Sequence, residues 1–282
     1  MTDSKLLLID GHNLLFQMFF GMPSRIPGKD GTDVRGAVGF VGAVGRITRM
    51  CAPTHVAVIF DSETHNPRSD ILEEYKANRP NYSDLPECEN PFTILPAIYT
   101  ALDVMGIRHA EIASAECDDV IASYTLRYKS VCEIVISSHD SDFLQLISDG
   151  VRVVRYRGDS TVICDKKYVT DKFGVPPELY IDSKALFGDS ADNIPGISGI
   201  GPKTAAKLVL EAGGADNLIK DSSVIANPRH RKMIEDSRKI IERNLALMRL
   251  SDNAPLPIDI DELIWENKSY RTMDILRDAG II

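Results

Sequence analysis

Three short runs of the chain are apolar at successive positions: Leu6–Ile9, Val56–Phe60 and Glu133–Ser137. They are too short for helices and rich in leucine or β-branched residues, the pattern of parallel strands buried on both faces. Longer helix-like stretches lie around them, over Gly36–Met50, Phe92–Met105 and Asp118–Tyr128. Strands alternating with helices predict right-handed βαβ crossovers and a central, mainly parallel sheet flanked by helices, an α/β fold. A shorter pair, Val151–Arg155 and Val162–Cys164, predicts a hairpin at the sheet's edge.

Two stretches break this rhythm. Between about Ser62 and Pro91 the chain carries Pro67, Pro80, Pro86 and Pro91, the charged run Asp70–Lys76 and few core-grade residues. That predicts a long, partly helical excursion from the sheet, of a length that usually serves a function. From about Lys166 the strand pattern stops and short helical segments with Gly and Pro turns take over, with a seam near Val175–Pro176–Pro177. The expected organisation is an α/β domain over residues 1–165 and a helical domain over residues 166–282.

Composition adds exclusions. With 282 residues, 44% hydrophobic and 26% charged, the chain is neither a disordered tail nor a disulfide-stapled miniprotein. No apolar run approaches the roughly 18 residues of a membrane helix, and Leu6–Ile9 ends in Asp10, unlike a signal-peptide core. Five scattered cysteines, Cys51, Cys88, Cys117, Cys132 and Cys164, lack zinc-site or redox-pair spacing. They read as reduced thiols of a cytoplasmic protein.

The net charge of −9 argues against a nucleic-acid binder unless the acids are gathered to hold cations. Each predicted strand is followed by aspartate: Asp10, Asp61, then Asp140 and Asp142. In a parallel sheet these strand ends open on one edge. Helix capping accounts for one such aspartate but poorly for all of them. Glu116, Asp118 and Asp119 open the next helix, more acid than a helix dipole needs. Asp189 and Asp192 stand three apart beside a turn. Nine crowded carboxylates cannot all stay ionised without cations. An oxygen-rich set with few His or Cys favours Mg²⁺ or Mn²⁺ over zinc, and two such ions about 4 Å apart suit in-line hydrolysis at phosphorus. His12, His55, His65 and His139 have no ligand spacing and read as surface or supporting groups.

The loop Pro195–Gly196–Ile197–Ser198–Gly199–Ile200–Gly201–Pro202–Lys203–Thr204 is not a P-loop, because Pro202 separates Gly201 from Lys203 and no strand precedes it. It is a glycine hairpin opening a helix over Lys203–Leu210, either a plain inter-helix turn or a grip on phosphate through free N–H groups. The surrounding block Asn193–Leu250 has ten Lys/Arg against six Asp/Glu, which favours a DNA or RNA backbone. Arg68, Lys76 and Arg79, interleaved with Tyr75 and Tyr82, suit a single strand or a solvated helix face.

Together, Phe60–Asp61, Glu74–Tyr75–Lys76–Ala77–Asn78–Arg79, Glu116–Cys117–Asp118–Asp119 and the stretch Gly188–Thr204 resemble the bacterial flap endonucleases, or 5′-nucleases. The resemblance covers nearly the whole chain. It implies a PIN-like nuclease domain with a helical arch at about residues 62–91, and a helix-two-turns-helix at about 186–210. It implies one metal on Asp10, Asp61, Glu116, Asp118, Asp119 and Asp140, and a second on Asp142, Asp189 and Asp192. Both would be Mg²⁺, with Mn²⁺ able to substitute. Tyr75, Lys76 and Arg79 would be catalytic residues at the arch base. Gly196, Gly199, Gly201, Lys203 and Thr204 would contact duplex DNA, with a potassium ion on the carbonyls of Ile194, Pro195, Ile197 and Ile200. The implied partners are branched or 5′-flap DNA and RNA-primed DNA, for a monomer working in the cytoplasm at the nucleoid, in replication and repair. Three positions depart from the pattern: Gln17 stands for an arginine, His139 for a glycine, and Ala191 for a small hydroxyl residue. A short PIN-type RNase and a non-catalytic DNA-binding protein of the same fold are the alternatives. The first fits poorly with the length of residues 166–282, the second with the full acid set.

Overall fold

The computed structural model describes residues 4–61, 67–78, 80, 82–86, 89–113, 115–268 and 271–282. Strands β1 (Lys5–Asp10), β2 (His55–Asp61), β3 (Arg108–Ile112), β4 (Glu133–Ser137), β5 (Val151–Arg155) and β6 (Val162–Cys164) form one sheet in the order β3-β2-β1-β4-β5-β6. The first five are parallel and β6 runs antiparallel to β5, the expected edge hairpin.

β1 lies in the middle with both faces covered. Leu6 and Leu8 enter one core, Leu7 and Ile9 the other, and all four are fully buried. Alternation between two apolar layers is why the strand reads as an unbroken apolar run. Helices α1 (Gly11–Gly21), α2 (Arg35–Cys51) and α3 (Leu95–Val104) cover the Leu7 face. On the Leu6 face the core of α4 (Cys117–Tyr128) continues into the C-terminal helices. These are α5 (Lys166–Phe173), α6 (Tyr180–Phe187), α7 (Pro202–Ala212), α8 (Ala215–Lys220), α9 (Pro228–Asp236) and α10 (Arg238–Met248). The chain then returns to the first face: the Trp265 indole N–H donates to the Met105 carbonyl at 2.9 Å, and α11 (Thr272–Asp278) packs on α2 and α3.

The strand order positions the site. From β1 the chain steps outward through β2 and β3, then resumes on the other side of β1 with β4. Crossovers leave a crevice at the carboxyl ends of strands where the order reverses, here between β1 and β4.

Some elements differ from the sequence expectation. β3 was not foreseen, because Arg108, His109 and Glu111 give an edge strand no apolar run. The helix expected over Phe92–Met105 is split into a 3-10 turn, Pro91–Ile94, and α3, with Pro96 near its start, where a missing N–H costs nothing. Strands do not vanish after Lys166, since β7 (Gly188–Asp189) pairs with β8 (Ile194–Pro195). Two-residue strands are too short to carry a hydrophobic period. In the excursion the described residues form the 3-10 turns Pro67–Asp70 and Tyr82–Asp84, with no α-helix among them. Cys51, Cys117, Cys132 and Cys164 are unpaired, and Cys88 lies outside the described residues. Among the described residues no helix is long and apolar enough to cross a membrane.

Candidate active site

Asp10 ends β1 and caps α1, accepting the Asn13 N–H at 3.1 Å and the Ser138 hydroxyl at 2.8 Å. Asp61 ends β2 and accepts the Cys117 N–H at 2.8 Å, so β2 is tied to the start of α4. Asp118 lies in the first turn of α4. Asp140 follows β4; its N–H donates to the Ser138 oxygen at 2.9 Å, and its carboxylate accepts the Asp142 N–H at 2.8 Å. Ser138 therefore bridges the two strands of the crevice.

The charges of these acids act on one another. Burial first, then the Asp61 charge, raises Asp10 to about 7 despite its two hydrogen bonds. Asp118 is pushed well above the usual carboxylate range by burial and by Asp140 and Asp10. Burial would raise Asp61 too, but the His12 imidazole, the Cys117 N–H and Lys76 outweigh it and hold the group low. Asp10, Asp61, Asp118 and Asp140 are thus one electrostatic unit at the switch point.

Four of the remaining acids, Glu116, Asp119, Asp142 and Asp189, are paired with the protein's own cations. Arg68 spans Glu116 and Asp119, the latter at 2.8 Å. Lys76 reaches Glu116 at 3.3 Å. Lys184, 3% exposed on α6, pairs with Asp142 and with Asp189 at 2.5 Å. Burial works against the Lys184 charge, but Asp142 and Asp189 outweigh it and raise its pKa. Asp142 still rises to about 6, through burial and Asp140, whereas Lys184 and two N–H groups hold Asp189 low against its own burial. Asp192 is buried and its carbonyl accepts the Lys76 N–H at 3.0 Å.

A divalent ion fits the chemistry of this donor set, because carboxylates raised by one another gain most from a hard cation. The nine acids do not yet form a coordination shell: among the described residues no three ligand-type side chains stand close enough to share an ion. Arg68, Lys76 and Lys184 stand among them.

Several expectations need revision. Arg68 does not face a strand; it is 8% exposed and clamps the α4 acids. Tyr75 is not open for stacking but buried under Lys76, whose Nζ lies 4.8 Å from the ring centre. Arg79 and His65 lie outside the described residues. Of the two readings of His12, surface or supporting group, the second holds: it is buried and its Nδ1 accepts the Asp61 N–H at 3.2 Å. Two departures from the family pattern meet on one atom, since Gln17 Nε2 donates to the Tyr156 carbonyl at 2.5 Å and His139 Nε2 lies 2.8 Å from it. Gln17 thereby turns inward. Ala191 donates its N–H to Asp189 and needs no side chain for that.

The glycine hairpin is a close backbone crossing. A Cβ on Gly196 would stand 2.2 Å from the Phe187 carbonyl carbon, and Gly188 has φ +86. Gly199, at φ +83, turns the chain, and Gly201 starts α7 with Lys203 exposed and Thr204 half-buried in its first turn. The expected potassium shell is not free, however. The Pro195 carbonyl accepts Asn244 Nδ2 at 3.0 Å and Arg243 Nη2 at 3.3 Å, and the Ile197 carbonyl accepts the Ile200 N–H at 3.0 Å. Ile194 sits in the β7–β8 ladder.

Sequence reasoning missed Ser138, Lys184, Arg243 and Asn244. Only Lys184 left a signal, a lysine that shares its helix face with Tyr180, Ile181 and Phe187, since lysine is rarely buried unless paired.

Residues 5–174 match the 5′-3′ exonuclease N-terminal resolvase-like domain, and residues 175–271 the 5′-3′ exonuclease C-terminal SAM fold. A 5′-3′ exonuclease of Streptomyces coelicolor is 32% identical over 89% of this chain and 87% of its own length. DNA polymerase I of Rhizobium leguminosarum is 34% identical over 93% of this chain, which spans only 26% of that protein. Among solved structures, a bacteriophage T5 flap endonuclease variant in complex with DNA and metal ions has a TM-score of 0.73 at 23% identity, covering 98% of this chain and 99% of that one. The fold is therefore a mainly parallel resolvase-like sheet domain joined to a helical SAM-like domain. The chain belongs to the 5′-3′ exonuclease family and is an enzyme of that class.

Proposed function

We propose that the protein is a structure-specific 5′-nuclease that hydrolyses DNA phosphodiesters near junctions of single and double strand, leaving a 5′-phosphate and a 3′-hydroxyl. The observation that carries this reading is the mutual charge of Asp10, Asp61, Asp118 and Asp140 at the switch point of the sheet. Asp10, Asp61, Glu116, Asp118, Asp119 and Asp140 would hold one Mg²⁺, and Asp142, Asp189 and Asp192 a second, with Mn²⁺ able to replace either. The bound ions supply Lewis acidity for in-line attack by water.

The chain's own residues do the rest. Ser138 and the Cys117 N–H fix the carboxylates of Asp10 and Asp61 before substrate arrives. Lys76 turns from Glu116 to the scissile phosphate and, together with Arg79, offsets charge in the transition state. The exposed start of α7, with Gly196, Gly199, Gly201, Lys203 and Thr204, binds the duplex backbone through N–H groups without reading sequence. The division of labour follows the two regions, residues 1–165 for chemistry and 166–282 for duplex DNA. The biological setting is RNA-primer removal and flap cleavage by a monomer, in the cytoplasm at the nucleoid.

The test is single-turnover cleavage of a 5′-flap DNA in Mg²⁺ or EDTA, beside a matched single strand and a blunt duplex. Asp10→Asn serves as the site control. Metal-dependent cutting at the flap junction, lost in the variant, is the expected result. Tight flap binding without cutting in either Mg²⁺ or Mn²⁺ would leave a DNA-binding protein instead.

A further inference from the structure

The family resemblance asks the glycine hairpin to hold a monovalent cation on four carbonyls, and the structure has already given one of them away. A carbonyl oxygen has two lone pairs. Those of Pro195 receive Asn244 Nδ2 at 3.0 Å and Arg243 Nη2 at 3.3 Å. Asn244 is fully buried and all its hydrogen-bonding capacity is used: Nδ2 also donates to the Ala185 carbonyl at 2.8 Å, and Oδ1 accepts Arg243 Nε at 3.2 Å and Nη2 at 2.9 Å. A saturated buried amide is a rigid part. It ties α10 to the end of α6 and to β8, and it seats the Arg243 guanidinium on the oxygen that a K⁺ would need. A second cation there would meet the guanidinium's charge at short range.

We infer that Arg243 is the hairpin's own cation, replacing the monovalent ion, so that the hairpin keeps its shape and its grip on duplex DNA without K⁺. This rests on the reading of the hairpin as a duplex grip, and the experiment separates the two.

The natural protein and Arg243→Ala are each compared in KCl and LiCl of equal ionic strength, by thermal melting without DNA and by anisotropy binding to a 5′-flap DNA in EDTA. Li⁺ holds its water too tightly to settle on such carbonyls. The natural protein should melt and bind identically in both salts. Arg243→Ala, which loses a half-exposed side chain, should still fold. In LiCl its dissociation constant should rise about tenfold, the loss of one charge-assisted hydrogen bond, and in KCl much of that loss should be restored. A natural protein that melts higher or binds tighter in K⁺ would overturn the inference. So would an Arg243→Ala variant whose affinity falls equally in both salts, which would make Arg243 a simple phosphate contact. Absence of flap binding in either salt would sink the duplex-grip reading, while the melting comparison would still decide whether K⁺ acts on the hairpin.

Discussion

At the scale of single residues, the site is a contest between carboxylates and the lysines and arginine placed among them. Lys184 is the clearest case. Its ammonium is buried and serves two acids of the proposed second metal group. Removing one member of a buried ionic group leaves uncompensated charge and typically costs about 3–5 kcal/mol. Lys184→Met should therefore destabilise the protein by that order in urea melts without divalent ions. Adding Asp142→Asn should recover part of the loss, and an additive second loss would show that the charges are not coupled. Lys76 has a different place, half-buried above Tyr75, in reach of Glu116 and at φ +56. A bulky side chain in that conformation is strained, and strain of this kind collects where geometry serves chemistry. If Lys76 meets the scissile phosphate, Lys76→Ala should slow single-turnover cleavage by two or more orders of magnitude, about the worth of one transition-state donor, with little change in flap affinity. Equal losses of rate and affinity would make it a binding residue only.

Among the elements, the acid-bearing turn and the excursion after β2 are clasped to each other. Asn193 Nδ2 donates to the Glu74 carbonyl at 2.9 Å, Asn78 Nδ2 to the Ser190 carbonyl at 3.2 Å, and Lys76 N–H to the Asp192 carbonyl. Asn193 itself is at φ +58, a conformation asparagine tolerates better than most residues. Asn193→Ala removes both the bond and that tolerance. It should cost about 1–2 kcal/mol, with faster amide exchange over residues 72–78 while the sheet stays protected. Uniform loss of protection would mean that the clasp is not local. The same elements show what a sequence can reveal. β1, β2 and β4 were legible because both their faces are buried, and the aspartates because they punctuate those strands. β3 was hidden by its charged edge residues and β7–β8 by their length. The counter-ions were hidden by distance along the chain, since Lys184 meets Asp142 across 42 positions and Arg68 meets Glu116 across 48. No local pattern carries such a pairing.

For the whole molecule, the question is why a protein of net charge −9 keeps so many acids at one edge. Asp10, Asp118 and Asp142 all have raised pKa values, so the fold pays for holding them together. A ligand that binds only the folded state returns that energy by mass action, about 2.7 kcal/mol when it is a hundredfold above its dissociation constant. In a chain of this size each kcal/mol moves the melting temperature by about 2–4 °C. Millimolar Mg²⁺ should therefore raise the melting temperature by several degrees over EDTA, and Mn²⁺ should do the same. Asp10→Asn, which removes a charge from the crowded group, should melt higher than the natural protein in EDTA and gain less from Mg²⁺. The two shifts have opposite signs because one charge is responsible for both, the repulsion without metal and the attraction with it. A melting temperature indifferent to Mg²⁺, Mn²⁺ and Ca²⁺ alike would mean that Arg68, Lys76 and Lys184 already neutralise the edge, and that no metal site is assembled there without DNA.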